Sequence, residues 1–437
     1  MTTATVFISL SVALISGLIL SRLAKLMKLP AVTAYLVAGI LIGPFLLGKL
    51  GISGIGFSSL HEVESFSLLC DLALGFIAFE IGNEFRLSQL KTIGKQATII
   101  GIFQAVLTTL LVDAVLIGLH FMFPDVLTLP VAIILGAIAA ATAPAATLMV
   151  VKQYKAKGPV TSILLPIVAL DDAVGLVLFS ISAGIAKSIG AGNVNVLSIV
   201  LEPIIEVIFS LVLGSVMGLL FNFMERFFHS RSKRLAVSVG FVMITTGLSS
   251  LSFTVGGIHV AFSSLLTCMM LGTIFCNICD FSEELMDRVD RWTAPLFVLF
   301  FVLSGAELNL GVFGNITIVL IGVVYIISRS IGKYTGAYIS SKATKCDPNI
   351  IKYLGITLLP QAGVALGMAN KVASPGFGVE GGDLILNITL FAILIYEIIG
   401  PFLTKISLTK AGEITPEGKT SARHEHAKKM AEQNAAK

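Results

Sequence analysis

The chain has 437 residues, 55% of them hydrophobic and 13% charged, with a mean hydropathy of +0.94. Soluble domains carry about 25% charged residues, so composition excludes a soluble globular protein and points to a polytopic membrane protein in the lipid bilayer. The net charge of +4 offers no nucleic-acid surface, because the basic residues sit in short segments between apolar runs.

A membrane-crossing helix needs about 20 apolar residues. In chain order the apolar runs predict thirteen spans: 4–23, 31–48, 66–85, 96–121, 128–151, 160–186, 197–222, 235–252, 257–278, 293–305, 313–340, 350–371 and 382–405. The first run has no basic residue before it and Arg22, Lys25 and Lys28 after it. That is the reverse of a cleaved signal peptide, so it reads as a retained helix. With thirteen spans, eighteen of the 30 basic residues fall in one set of alternate loops and seven more in the tail, against three (Lys49, Lys187, Lys371) in the opposite set. Basic loops stay on the cytoplasmic side. The expectation is an all-α protein of the inner, cytoplasmic membrane, with its N-terminus outside and its C-terminus inside. Residues 1–407 form the membrane domain, and 408–437 a short polar tail read as disordered, with His424 and His426 solvated in it.

Two spans carry internal breakers. GAIAAATAPAATLMVV has Pro144 after a run of small residues, and TAPLFVLFFVLSGAELNL has Pro295 and Gly305 around a short apolar stretch. Interrupted spans in corresponding places of two halves point to a transporter built from inverted repeats, with broken helices crossing at a midplane site. Unwound backbone there frees carbonyls for a cation.

The chemistry centres on Asp171 and Asp172, adjacent in the apolar run SILLPIVALDDAVGLVLFSISAGIA. A charge at the bilayer centre costs about 2.5–3.5 kcal/mol on insertion scales, and two neighbouring carboxylates repel each other. Such a pair is kept where a cation or a proton needs it. Pro166 is expected to kink this helix beside the pair, and Gly175 to admit a crossing helix. Arg329 and Lys333 lie within a span four residues apart, on one helical face. Lys333 is read as the partner of one aspartate, leaving the other for an ion. Glu397 reads as a structural partner for Arg329. Glu80 reads as a buried structural or pathway acid, Glu84 as interfacial and Glu307 as facing outward; Asp71 and Asp113 have no assigned role. The five cysteines form no disulfide framework, and Cys276-Asn-Ile-Cys279 reads as small apolar side chains. No nucleophile or metal-ligand cluster indicates an enzyme or a cofactor. Cations and protons compete for the same carboxylate oxygens, so a site open to one side at a time would couple their movements.

These residues together resemble the monovalent cation:proton antiporter superfamily, in its bacterial sodium/proton antiporter and potassium-efflux branch. PAVTAYLVAGILIGP and LALGFIAFEIGNEF look like its second- and third-helix patterns. ATAPAAT looks like its unwound crossing helix, ALDDAVGLVLF like its paired-aspartate helix and SRSIGKYTGAYIS like the helix with its core lysine. The resemblance implies thirteen helices in a core domain and a dimerisation domain, a homodimer, and a core that moves like an elevator. It also implies sodium, or potassium, bound at Asp172, with Asp171 paired to Lys333 and Thr142 and Ala143 offering oxygens at the crossing. Members with two aspartates and the lysine tend to exchange two protons per sodium, electrogenically. The function expected is therefore sodium/proton exchange; the alternatives are potassium/proton exchange and a sensor that has lost transport.

Overall fold

The computed structural model describes residues 3–27, 29–50, 56–83, 85–191, 196–255, 258–260, 262–279, 281–308, 310–373 and 377–414. Glu84, His424 and His426 lie outside them. The helices are α1 (Thr3–Leu26), α2 (Ala31–Ile42), a short α3 (Leu60–Glu64), α4 (Ser67–Asn83), α5 (Leu87–Met122), α6 (Leu129–Ile138), α7 (Pro144–Tyr154) and α8 (Pro159–Ala191). They continue as α9 (Val196–Glu225), α10 (Arg231–Ser249), α11 (Ser264–Ile278), α12 (Ser282–Glu307), α13 (Ile316–Ala343), α14 (Pro348–Thr357), α15 (Gly363–Ala373) and α16 (Gly382–Lys410). Among the described residues, eight elements are long and apolar enough to cross a membrane. The remainder supply three shorter helices (α4, α10, α11) and two broken ones (α6–α7, α14–α15), so each predicted span has its helical rod.

Two expectations need correction. The second broken helix is not at 293–305: α12 runs unbroken through Pro295. The break lies in the next span but one, between α14 and α15, around Pro360. Proline inside a membrane helix is tolerated where neighbouring helices hold the backbone, and α12 is clasped by α1, α2 and α4. The same holds for Pro166, which α8 passes without interruption. The span at 257–278 also starts later. Phe253–Val255 and Ile258–Val260 form a two-stranded antiparallel ribbon, in keeping with their β-branched residues, and α11 begins only at Ser264, capped by the Ser263 hydroxyl.

The rods pack in two groups. One contains α5, α6, α8 and α13–α16; the other contains α1, α2, α4 and α9–α12. α7 follows α6 but reaches across to α2 and α4. Six rods precede α9 and six follow it, and the broken rod is fifth in each set, the order of an inverted repeat. In the second group, Phe79, Phe221 and Phe275 knit α4, α9 and α11, with the Phe221 and Phe275 ring centroids 4.2 Å apart. In the first, α13 lies directly on α5: a Cβ on Gly332 would stand 2.9 Å from Thr108 Cα, and one on Gly336 2.7 Å from Gln104 Cα. Small residues that let two backbones touch are the usual device of membrane helix pairs, and here they bring Lys333 and Gln104 to one place. Large apolar side chains of α1 and α9, including Phe7, Ile15, Phe209 and Phe223, are exposed, as suits contact with lipid chains.

Candidate functional site

The site is made where the two broken rods cross. α6 ends at Ile138 and α7 starts at Pro144. Proline has no N–H and disfavours helical conformation in the residue before it, so Ala139–Ala143 bridge the gap unwound. α14 ends at Thr357 and α15 starts at Gly363, with Pro360 between them. The breaks are tied directly: Ala143 N–H donates to the Pro360 carbonyl at 2.8 Å.

A helix end leaves carbonyls without partners and carries partial negative charge. Here the C-terminal ends of α6 and α14 face each other, and α13 supplies the cations that satisfy both. Arg329, 0% exposed, donates from Nε to Ala139 O at 2.9 Å, from Nη2 to Ala141 O at 2.6 Å and from Nη1 to Leu359 O at 2.7 Å. Its guanidinium stacks 4.5 Å from the Tyr396 ring centroid. Gln361 adds a bond to Ile138 O at 3.0 Å. Lys333, one turn on, donates to Ala140 O at 2.6 Å, Thr142 Oγ1 at 2.9 Å and Asp171 Oδ2 at 2.9 Å, using all three of its protons.

The two aspartates receive different surroundings. Consecutive helical residues point about 100° apart, at 3.6 residues per turn, so one neighbour can be consumed while the other stays free. Asp171 is held by Lys333, by the Thr142 hydroxyl at 2.6 Å, and by Gln104, which donates to Oδ1. Asp172 is 4% exposed, and its Oδ1 finds no partner among the described residues. Gly175, one turn on from Asp171, faces the first break, where a Cβ would stand 3.9 Å from Ala141 N and Cα.

Lys333 therefore stands where the sequence reading put it, against one aspartate. The Thr142 hydroxyl is engaged with Asp171 and Lys333, and the Ala143 carbonyl receives Thr147 Oγ1 at 3.3 Å. The expected pairing of Arg329 with Glu397 is not found. Arg329 is committed to carbonyls, because two helix ends converge on it, and Glu397 lies on a cavity wall. Glu80 is drawn into a separate cluster: Lys152 of α7 pairs with it and, at 2.7 Å, with Asp290 of α12, while Thr293 Oγ1 donates to Glu80 at 3.2 Å. Asp113 lies against Gly136 of α6, with its Oδ1 buried and unpartnered. Gln104 and Gln361 escaped the sequence reading; each is an amide inside an apolar run, the signal that could have singled them out.

Comparison with known proteins gives the chain's family. The transmembrane sodium/hydrogen exchanger family matches residues 10–410. A Na(+)/H(+) antiporter of Synechocystis, NhaS4, is 24% identical over 412 residues, covering 92% of this chain and 96% of that protein. The sodium proton antiporter MjNhaP1 of Methanocaldococcus jannaschii, in a structure at pH 8, superposes with a TM-score of 0.64 at 21% identity over 92% of this chain and 95% of its own. A three-dimensional electron-microscopy map of the same antiporter gives 0.67 at 20% identity over 96% and 100%. With the family matched over nearly its whole length, the chain is a multi-pass membrane transporter belonging to the sodium/hydrogen exchanger family.

Proposed function

We propose that this protein exchanges sodium for protons, with Asp172 as the carboxylate that holds either. The observation that carries the reading is the contrast between neighbours: Asp171 is saturated by Lys333, Thr142 and Gln104, while Asp172 keeps an oxygen free. A monovalent cation needs such an oxygen, and unwound backbone at the crossing can complete its shell. Lys333 and Arg329 balance the buried carboxylate and the helix ends, so the empty site does not collapse on its own charge.

On the proton-loaded leg, Asp172 and Lys333 both carry protons. On the sodium-loaded leg, Asp172 carries the cation and Lys333 has released its proton. Two positive charges cross one way and one the other, so exchange moves net charge. The group of α5–α8 and α13–α16 is the moving part in this reading. The group of α1, α2, α4 and α9–α12 is the fixed part and joins a second copy in the cytoplasmic membrane, with the C-terminus inside.

The test is exchange in proteoliposomes: an internal pH dye, pulses of sodium or potassium, and a potassium clamp on voltage. A sodium-driven pH change that responds to imposed voltage supports the proposal. Exchange indifferent to voltage discards the two-proton scheme, a response to potassium alone replaces the cation, and no response to any monovalent cation in folded protein favours a sensor.

A further inference from the structure

A cavity of about 280 Å³ opens between the two helix groups, at the end of the bundle where α4 and α11 begin and α10 ends. Its floor is the crossing itself, with Ala143 and Pro144 of the first break and Ala362 and Gly363 of the second. At ~30 Å³ per water, it has room for a small cation with much of its hydration. Two carboxylates stand on its wall, Asp71 of α4 and Glu397 of α16, and among the described residues no lysine or arginine does. Glu307, at the end of α12, is near enough for its charge to act on Glu397 and to feel Asp71.

Glu397 is 6% exposed, and its Oε2 has no hydrogen-bond partner among the described residues. A buried acid without a partner is costly, and inside a membrane it marks a functional position by default. It is held at the second break: Gly400, one turn on, packs so closely on Pro360 that a Cβ would stand 2.9 Å from its ring. The half-helices α7 and α15 begin at the same cavity, and their partial positive ends weaken the grip of a nearby carboxylate on a cation. That suits a station passed through, not a resting place.

We propose that Glu397, with Asp71 beside it, is a second and weaker binding site for a partly hydrated monovalent cation on the route between this cavity and Asp172. The proposal rests on the reading of Asp172 as the transport site. It adds an affinity-setting carboxylate on one face of the carrier.

The test is the concentration dependence of sodium/proton exchange measured from each face, in the full chain, for wild type, Glu397→Gln, Glu397→Asp and Asp71→Asn, beside Asp172→Asn. Glu397→Gln should raise the half-saturating sodium concentration about tenfold from the face bearing this cavity, the order that loss of one partly screened charge gives. From the other face it should change little, the maximal rate should stay within about twofold, and Glu397→Asp should recover most of the loss. An unchanged half-saturation from both faces, with Asp172→Asn inactive, overturns this proposal alone. So does a fall in maximal rate and thermal stability with half-saturation untouched, the signature of a merely structural acid. Full exchange in Asp172→Asn would instead sink the reading on which it rests. If Glu397→Gln does not fold, the one-sided shift in Asp71→Asn decides.

Discussion

Lys333 Nζ lies 2.9 Å from Asp171 Oδ2, and both side chains are completely buried. The same ammonium also holds Ala140 O and Thr142 Oγ1. One side chain therefore fastens the unwound stretch of the first broken helix to α8, the helix that carries the two aspartates. Removing one partner of a buried ion pair costs about 3–5 kcal/mol, while replacing both by apolar groups of similar volume is often neutral. Lys333→Ala and Asp171→Asn should each lower the thermal unfolding temperature in detergent. The double variant Lys333→Met with Asp171→Leu should recover part of the loss. Surviving exchange in Lys333→Ala should no longer respond to imposed voltage; an unchanged voltage response would remove Lys333 from proton coupling.

Asp172→Asn keeps the shape of the side chain and removes its charge. Because no described residue is bonded to Oδ1 of Asp172, the variant should fold and unfold like the parent. Exchange should fall to the background of empty liposomes, and the pH-dye assay decides it.

Arg329 differs from Lys333 in kind. Its planar fork satisfies three carbonyls from two helix ends, which an ammonium cannot reach together. Arg329→Lys should leave at least one buried carbonyl unpaired, at about 1–3 kcal/mol each. The expected outcome is a lower unfolding temperature without a matching change in sodium half-saturation among molecules that remain folded. A stability equal to the parent's would show that water replaces the fork.

Lys152 links α7 to Glu80 of α4 and Asp290 of α12, a bond from the group carrying the crossing to the other group. Lys152→Ala leaves Glu80 buried with Thr293 as its remaining hydrogen-bond partner among the described residues, and should cost about 1–3 kcal/mol. Asp290 is half exposed, so Asp290→Asn should cost less than about 1 kcal/mol. Thermal denaturation of the two variants separates these sizes.

Glu413, just beyond α16, caps the helix that carries the aspartates. Its carboxylate accepts from Val160 N at 2.6 Å, Thr161 N at 2.8 Å and Thr161 Oγ1 at 2.6 Å. Glu413→Ala should cost about 0.5–2 kcal/mol, the range for losing an N-cap. Amide hydrogen exchange should rise first at Val160–Thr161; unchanged protection there would show that the cap is dispensable.

Much of the fold was legible because charge and apolar length act locally. Thirteen spans followed from runs of about 20 apolar residues and from alternation of basic loops. The first break was legible because Pro144 follows five small residues that resist nothing. The second was not. Pro360 sits in an unremarkable apolar run, while Pro295, the more conspicuous proline, is carried inside α12 by its neighbours. The strand Ile258–Val260 fell inside the span read as 257–278 because a short apolar stretch has the same composition in either state.

At the site, the sequence singled out Asp171, Asp172 and Lys333 as candidates, since a charge inside an apolar span carries a high desolvation cost. The residues alone left open which aspartate Lys333 takes; the family resemblance pointed to Asp171, and the fold brings Lys333 to it. That Arg329 serves two helix ends and not Glu397, and that Glu397 faces a cavity, came from the tertiary structure. Those outcomes depend on atoms brought together from 162 residues apart for Lys333 and Asp171 and 190 for Arg329 and Ala139. Which oxygen or carbonyl meets a charge at such separations is set by how helices cross and where their backbones unwind, and no local pattern encodes that.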